Sequence, residues 1–585
     1  MEGNDKLHNI RHSLAHLLAI AVLEKDPDVK LGIGPVIDNG FYYDFEFSNG
    51  YVPTPEDLKS FQKSMKKLVG KGLPFEKQEV SVEEAKKMFS SQKYKTELIN
   101  EFTNEGKDLT LYKTGDFTDL CKGGHVESTK EIDPDGFMIS HTAGAYWRGD
   151  EKNTMLTRIY GLAFENGDEL KAYINQQEEA KKRDHRKLGK ELDLFTFSDL
   201  VGPGLPLWTP KGTIVRELLD DYIWELRQKY GYQKVTIPHI TKKDLYEKSG
   251  HWKKFADELF KIETREGHLY AVKPMSCPHH TQIFDRKPHS YKEMPERYAE
   301  TTMVYRDEQS GELSGLSRVL CITQDDAHVF CRENQVEQEI FAIWDIIDVF
   351  YKTFGFSDIK IRFSSHDPNS FEKYLGSKEV WEKAENAILS LLKKRGIEYI
   401  DGKGEAAMYG PKIDFIGKDS LGRMLQVATI QLDFNLPENF DLNCTNEKGE
   451  KERVVMIHCA IMGSLERFTA TLIEHTAGNF PLWLSPVQVK VLPVSKKHAD
   501  YAKKIYDALS QAQIRTELDD SDESLGKRIR ISKIEKNPYT LIIGEKEIES
   551  GTITAERRDG LHLDNLSIDD FIETAKREIE EKKGW

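Results

Sequence analysis

The sequence predicts a multidomain protein of the α+β class, and three observations carry that prediction. The chain has 585 residues, enough for about three to four domains at roughly 150 residues each. Its middle holds a strand, a loop and a return strand between Arg306 and Phe330, with polar groups repeated on one face. Residues 486–585 alternate short apolar strands with helices, the pattern of a layered α/β sheet.

Hydrophobic residues make up 38% and charged residues 31%, which suits a soluble protein with an ample core. No apolar run approaches the roughly 18 residues of a membrane span. The N-terminus, Met1-Glu-Gly-Asn-Asp, lacks a basic stretch followed by an apolar one, so no signal peptide is visible. Six cysteines without a regular framework fit a reducing, cytoplasmic setting. The net charge of −15 speaks weakly against nucleic acid for the chain as a whole. Binding depends on local patches, however, and basic clusters occur at Lys181–Lys187, Lys527–Arg530 and Arg557–Arg558. Each also reads as a solvated helix face or strand end.

Four segments follow in order. Residues 1–175 form a first unit. Residues 176–194, within the charged stretch Ala172–Leu194, predict a connecting helix. Residues 195–485 carry the densest reactive groups, with strands expected at Ile359–Phe363 and Gln426–Leu432. In residues 486–585, strands are expected at Val487–Val494, Ile514–Leu518, Tyr539–Ile543 and Gly551–Arg557. Helices are expected at Ala499–Gln513, Leu525–Glu535 and Ile568–Lys583.

Cys277, His328 and His458 lie far apart in the chain, each inside a segment dense in reactive groups. A thiolate and two imidazoles are good ligands for tetrahedral Zn²⁺, and three protein ligands leave a position open for substrate. Cys459 is an alternative to His458. On a strand the two point to opposite faces, so only one can serve.

Residues two apart share a strand face. Arg306 and Glu308 then face together, as do Arg318, Ile322, Gln324, Asp326 and His328 on the return strand. Such a face is not buried without polar partners. Leu465 onward predicts a helix with Arg467 in its first turn, where backbone N–H groups and a guanidinium attract phosphate.

The first unit has its own cluster. His12 and His16 are four apart, on one helix face. Asp119, Cys121 and His125 supply a carboxylate, a thiol and a third imidazole beside two glycines. The ligand types would permit zinc. No glutamate stands between the two histidines, so a metalloprotease helix is not supported.

Together these segments resemble the threonyl-tRNA synthetases, a class II aminoacyl-tRNA synthetase family, over nearly the whole chain. The resemblance rests on Gly231–Pro238, Tyr305–Glu308 through His328, Gly463–Arg467, Tyr409–Lys412 and Gln426–Asp433. His12/His16, Cys121/His125 and Thr142–Asp150 resemble the family's editing domain. It implies an antiparallel class II catalytic sheet with helices, an N-terminal α+β editing domain and a C-terminal α/β anticodon-binding domain. The implied activity joins L-threonine to tRNA(Thr) with ATP and hydrolyses mischarged Ser-tRNA(Thr). The implied cofactors are one Zn²⁺ per subunit and Mg²⁺ with ATP, in a homodimer joined through the first class II motif, around Gly231–Pro238.

Residue roles follow from the same resemblance. Arg306 would hold the α-phosphate and the threonine carboxylate, and Arg467 the γ-phosphate. Glu308 would accept from the adenine amino group, with Arg318, Ile322, Gln426 and Thr429 completing the ATP site. Asp326 would bind the threonine ammonium, beside Met275, Gln324, Tyr409 and Gln431. Lys412 and His251 would assist catalysis, His251 near the terminal ribose of tRNA. His12, His16, Asp119, Cys121 and His125 would form the editing site. Lys527, Arg528, Arg530, Glu547 and Arg557 would contact tRNA.

Three features depart from the family pattern. The editing motif starts at His12, so the small ubiquitin-like domain that usually precedes it is expected to be absent. Ile322 stands where an aromatic side chain usually stacks on adenine. Glu556 stands where a basic anticodon-reading residue is usual. Three competing functions are a stand-alone deacylase of mischarged tRNA, a different class II synthetase and a synthetase-like regulator. The joint presence of Cys277, Arg306 and Arg467 weighs against the first, and Gln324–His328 with the Cys-His-His set against the second. A synthetase-like regulator without catalysis should have lost Arg306, Glu308 or Arg467, and none is lost.

Overall fold

The computed structural model describes residues 2–106, 109–356 and 358–582. The chain forms two compact units, divided after Glu178.

In the first unit the helix Glu2–Leu23 buries Ile10, Leu14, Leu17, Leu18 and Ala21. Their three-to-four-residue spacing makes one apolar face. That face joins a core built on a five-stranded sheet, in which Gly40–Glu46 and Met155–Ala163 are central. The helix Pro55–Lys71 shares this core. Thr54 and Asp57 form a capping box at its start, Pro55 fills the first turn, and Gly72 ends it at φ +65°. A three-stranded sheet, Glu76–Glu79, Thr110–Thr114 and Phe117–Leu120, carries Asp119.

The second unit centres on an eight-stranded sheet. Its order is Gln233–Lys234, Glu296–Tyr305, Cys321–Cys331, Val455–Ala460, Met424–Asp433, Lys412–Lys418, Lys360–Ser365, Tyr399–Lys403. All pairings are antiparallel except those of the two outermost strands. One face packs on the helices Pro210–Gln228, Val336–Thr353 and Leu465–Thr476 in the largest apolar cluster. The last part is a five-stranded sheet. Thr516–Leu518, Val489–Pro493 and Tyr539–Ile543 run parallel, then Ile553–Arg557 and His562–Leu566 run antiparallel.

Three expectations need correction. The connecting helix is two helices, Gly167–Arg183 and His185–Glu191. Asp184 leaves helical geometry (ψ 121°) and its carboxylate accepts the Arg186 N–H, so it starts a second helix. Arg306 and Glu308 lie beyond the strand Glu296–Tyr305, and Arg318 lies before the return strand, which starts at Cys321. The cause is the intervening loop, where Ser314–Arg318 close a tight turn on themselves and not on the ladder. The C-terminal part also contains a short helix, Glu545–Ser550, and the mostly exposed strand His562–Leu566. Neither has an apolar repeat long enough to read from sequence. The last helix runs Ile568–Glu580, and its expected end at Lys583 lies outside the described residues.

Candidate active site

Two adjoining cavities lie on the open face of the eight-stranded sheet. The larger, about 590 Å³, is lined by Arg306, Glu308, Arg318, Ile322, Gln426 and Arg467 among others. The smaller, about 190 Å³, contains Met275, Cys277, Asp326, His328, Tyr409 and His458. Arg306, Gln324, Thr429 and Gln431 line both. Ile322, Gln324, Asp326 and His328 therefore share one strand face, as their two-residue spacing predicts.

The larger cavity is built for an anion. Burial pushes the Arg467 guanidinium down, and the nearby charges of Arg306 and Arg318 push it further. Arg306 Nε is buried without a partner. Three crowded guanidinium groups call for a polyanion to offset their repulsion. Arg467 sits in the first turn of Leu465–Thr476, where the Ser464 hydroxyl caps the helix by accepting the Arg467 N–H at 3.2 Å. Its Nε donates to the Ser317 carbonyl at 3.1 Å. Glu308 is paired with Arg318 at 2.6 Å. On the facing strands, the buried Asp414 accepts from Gln426 Nε2 at 2.8 Å and Thr429 Oγ1 at 3.0 Å. Lys412 directs its ammonium at the same carboxylate, 3.1 Å away.

In the smaller cavity one donor atom each from Cys277, His328 and His458 lies within 4.8 Å of the others. Cys277 opens the helix Cys277–Phe284, while His328 and His458 are register partners on adjacent antiparallel strands. Cys459 points the other way, its Sγ 3.7 Å from the Tyr232 hydroxyl in the core. The choice between His458 and Cys459 is thus made by the pleat. Burial pushes the Cys277 thiol well up. Burial, His280 and His458 push His328 well down, which keeps the imidazole neutral. A neutral His328 imidazole and a second imidazole beside a buried thiol are a donor set that fits Zn²⁺. Each imidazole also has one nitrogen engaged elsewhere, His458 Nε2 by Asp433 at 2.9 Å and His328 Nδ1 by His280 at 2.7 Å. Such partners orient metal ligands. Tyr409 stacks on His458 with ring centroids 4.5 Å apart. Asp326, whose carboxyl burial pushes up, and the unpartnered Oε1 of Gln431 leave two acceptors in this cavity. Two acceptors beside a metal suit an ammonium group.

His251 sits behind Cys277. It is wholly buried, with Nδ1 2.9 Å from Ser249 Oγ and Nε2 3.7 Å from Cys277 Sγ. Burial lowers it to about 3. It stands behind a metal-ligand candidate and not at the surface.

The first unit assembles its cluster as the sequence suggests. His12, His16, Cys121 and His125 each bring a donor atom within 4.8 Å of the others. Cys121 Sγ is 3.5 Å from His12 Nε2 and 3.2 Å from His125 Nε2. Burial raises the thiol to about 11 and lowers His125 to about 2, and it also lowers His12 and His16. Asp119 stands behind this group in a buried pair with Lys95 at 2.6 Å, and accepts from the Tyr43 hydroxyl at 2.6 Å. Lys95 and Tyr43 escape sequence reasoning. Lys95 lies in an ordinary charged helix and Tyr43 in an ordinary aromatic strand, and only the fold brings them to Asp119.

The C-terminal candidates divide. Lys527 and Arg530 are exposed on the helix Leu525–Ile534. Arg528 is buried and gives its guanidinium to the carbonyls of Asp519 and Pro493 at 2.7 and 2.8 Å. Glu547 is also buried and accepts from Gly544 N and Thr554 Oγ1. Arg557 pairs with Asp559, and Glu556 with Lys533 at 2.9 Å.

Comparison with known proteins matches this architecture part by part. Residues 260–476 match the class II tRNA synthetase core domain of the G, H, P, S and T group, and residues 488–578 an anticodon-binding domain. Residues 109–160 match the second additional domain of threonyl- and alanyl-tRNA synthetases. The threonine–tRNA ligase of Gloeobacter violaceus is 48% identical over 562 residues, covering 95% of this chain and 89% of that protein. That of Cytophaga hutchinsonii is 46% identical over 572 residues, covering 97% and 88%. A solved structure described as the RNA-binding domain of threonyl-tRNA synthetase from Cryptosporidium parvum superposes with a TM-score of 0.64 at 36% identity, covering 67% of this chain and 98% of that one. With its class II sheet, its anion pocket and its separate histidine–cysteine unit, the chain belongs to the threonine–tRNA ligases, a family of class II aminoacyl-tRNA synthetases.

Proposed function

We propose that the two adjoining cavities hold ATP and L-threonine in one reacting pair, and that the first unit removes serine from mischarged tRNA(Thr). The observation that carries the first part is the shared wall. Arg306 and Gln324 line both cavities, so a carboxylate in one and an α-phosphate in the other would meet at Arg306.

Threonine carboxylate attacks the α-phosphate and pyrophosphate leaves. No proton needs removing, so positioning and neutralisation supply the rate. Arg306 holds the α-phosphate and carboxylate, and Arg467 the γ-phosphate, with Mg²⁺ accompanying ATP. Arg318 steadies Glu308 for the adenine amino group, and Ile322 lies against the base. Lys412 acts through Asp414, which orients Gln426 and Thr429. Asp326 takes the threonine ammonium, with Gln431, Met275 and Tyr409 around it. A Zn²⁺ held by Cys277, His328 and His458 would supply a Lewis-acidic position for the amino group and hydroxyl. Valine has nearly the same shape but no oxygen to offer, and an apolar pocket would separate the two only about a hundredfold.

Serine carries the same amino and hydroxyl groups and is smaller. One missing methyl is worth only about 1–3 kcal/mol. Hydrolysis at a second site is the physical remedy. His12, His16, Cys121 and His125 are neutral in their surroundings and orient a water there, with Asp119 fixed behind them by Lys95 and Tyr43. Lys527, Arg530 and Arg557 provide cationic surface for tRNA. Arg528 and Glu547 hold the domain's own backbone, and His251 supports Cys277. We further propose that the ligase works as a homodimer in the cytoplasm, joined through the Gly231–Pro238 segment. Amino-acid-dependent ATP–pyrophosphate exchange, run across all twenty amino acids, tests the assignment. Exchange with threonine, weaker exchange with serine and none with valine is the expected result, and a different preferred amino acid would overturn it.

A further inference from the structure

The basic stretch Lys181–Lys187 is not simply a solvated helix face, because His185 within it is buried. Its Nε2 accepts the backbone N–H of Leu316 at 3.1 Å. That donor fixes the tautomer, so Nδ1 carries the proton and gives it to Glu474 Oε1 at 2.7 Å. Glu474 also accepts the backbone N–H of His185 at 3.2 Å and the guanidinium of Arg423. Burial works against its charge, but these bonds from His185 and Arg423 hold the carboxyl below its ordinary value.

The loop that receives His185 is shaped to it. Gly315 has φ +49°, and a Cβ there would overlap the His185 ring. On the other side of Leu316, the Ser317 carbonyl accepts from Arg467. The loop is thus clamped between a linker-helix imidazole and a guanidinium assigned to the γ-phosphate. Ser317, Arg318, Arg423 and Glu474 all line the larger cavity, with His185 joined to that wall through Leu316 and Glu474.

We infer that His185 is a positioning residue for ATP, setting the Gln309–Leu320 loop against the nucleotide through Leu316 and the Arg423 side of the pocket through Glu474. The inference rests on the assignment of ATP to the larger cavity. His185→Ala in the full chain, measured by threonine-dependent pyrophosphate exchange, should raise KM for ATP about five- to tenfold, the size of one buried neutral hydrogen bond. KM for threonine should stay unchanged. Two further variants separate positioning from folding. His185→Gln can return an acceptor to Leu316 and should restore KM for ATP. His185→Asn can still donate to Glu474 but cannot reach Leu316, so its KM for ATP should stay raised even where Tm recovers. Equal KM for ATP in the Gln and Asn variants, or a wild-type value in the Ala variant, would overturn the inference while leaving the ATP assignment standing. If the unmodified protein gave no ATP-dependent exchange, the ATP assignment would fall first and the inference with it.

Discussion

Replacing Lys95 by Met should loosen the first unit more than any surface change, and should do so through Asp119. The ammonium and carboxylate are 2.6 Å apart, and each side chain is only 3% exposed. At an effective dielectric of about 20, two unit charges at that distance attract by roughly 6 kcal/mol, most of it offset by their desolvation. Removing one partner leaves the other charged and buried, which costs about 3–5 kcal/mol. Against a typical total of about 5–15 kcal/mol, that is a large fraction of the unit's stability. Tyr43 retains its bond to Asp119 but does not replace the lost charge. Hydrogen exchange in the full chain, followed on peptides from Lys93–Asn104 and Phe117–Cys121, reports the opening free energy locally. The double variant Lys95→Met with Asp119→Asn keeps an acceptor for Tyr43 and leaves no net charge behind. It should recover at least half of the single-variant loss. Both variants should fail to clear Ser-tRNA(Thr), and both should keep threonine-dependent pyrophosphate exchange within about twofold, since the two sites lie in separate units. Additive losses in the double variant would refute the reasoning, because they would mean that the two groups are not coupled.

Other outcomes are equally specific. Cys277→Ser, or chelation, should remove the bound zinc measured by elemental analysis and abolish threonine activation, and full activity in verified zinc-free protein would sink the metal assignment. Arg306→Ala should lower exchange by about 10²–10³, the usual cost of a lost charge-stabilising donor, with an unchanged circular dichroism spectrum. His12, His16 and His125 are held low by burial, His125 at about 2, so single-turnover Ser-tRNA hydrolysis should show no step near the ordinary histidine value of about 6.5. The same groups make the first unit most stable above pH about 6.5. Its stability should fall as pH drops from there towards 2, because the unfolded chain takes up protons that the folded cluster refuses. Lys527→Ala with Arg530→Ala should weaken tRNA binding and reduce its salt slope by about one per lost phosphate contact, sparing adenylate formation.

Much of the candidate site is legible in the sequence because its residues are chemically unusual and regularly spaced. Ile322, Gln324, Asp326 and His328 alternate along one strand, and no buried apolar face would tolerate that pattern. Cys277, His328 and His458 stood out as ligand types, and the pleat then separated His458 from Cys459. What stayed hidden depends on pairing across long distances in the chain. Lys95 looks like any helix lysine until the fold places Asp119 beside it. His185 looks like part of a basic surface until Leu316 and Glu474 close around it. Arg528 shows the opposite error, a guanidinium in a basic helix that the fold spends on two carbonyls. The break at Asp184 is a local capping signal, masked in the sequence because the charged residues on either side both favour helix.

The strand Cys321–Cys331 works on both of its sides. Ile322, Gln324, Asp326 and His328 face the cavities. Thr323 and Asp325 face the other way, fastened to Glu466 and to Arg227, with Ala327 and Val329 in the core. The strand is in effect a ruler with a mark roughly every 7 Å, from the end at the larger cavity to the end beside Cys277 and His458. Inserting or deleting one residue would exchange the graduated edge for the fastened one, burying the cavity-facing side chains and exposing the bolts. Drift of this site by small steps in length is therefore closed to evolution. Preference can change by swapping a side chain at a fixed mark, or by altering the loop before Cys321.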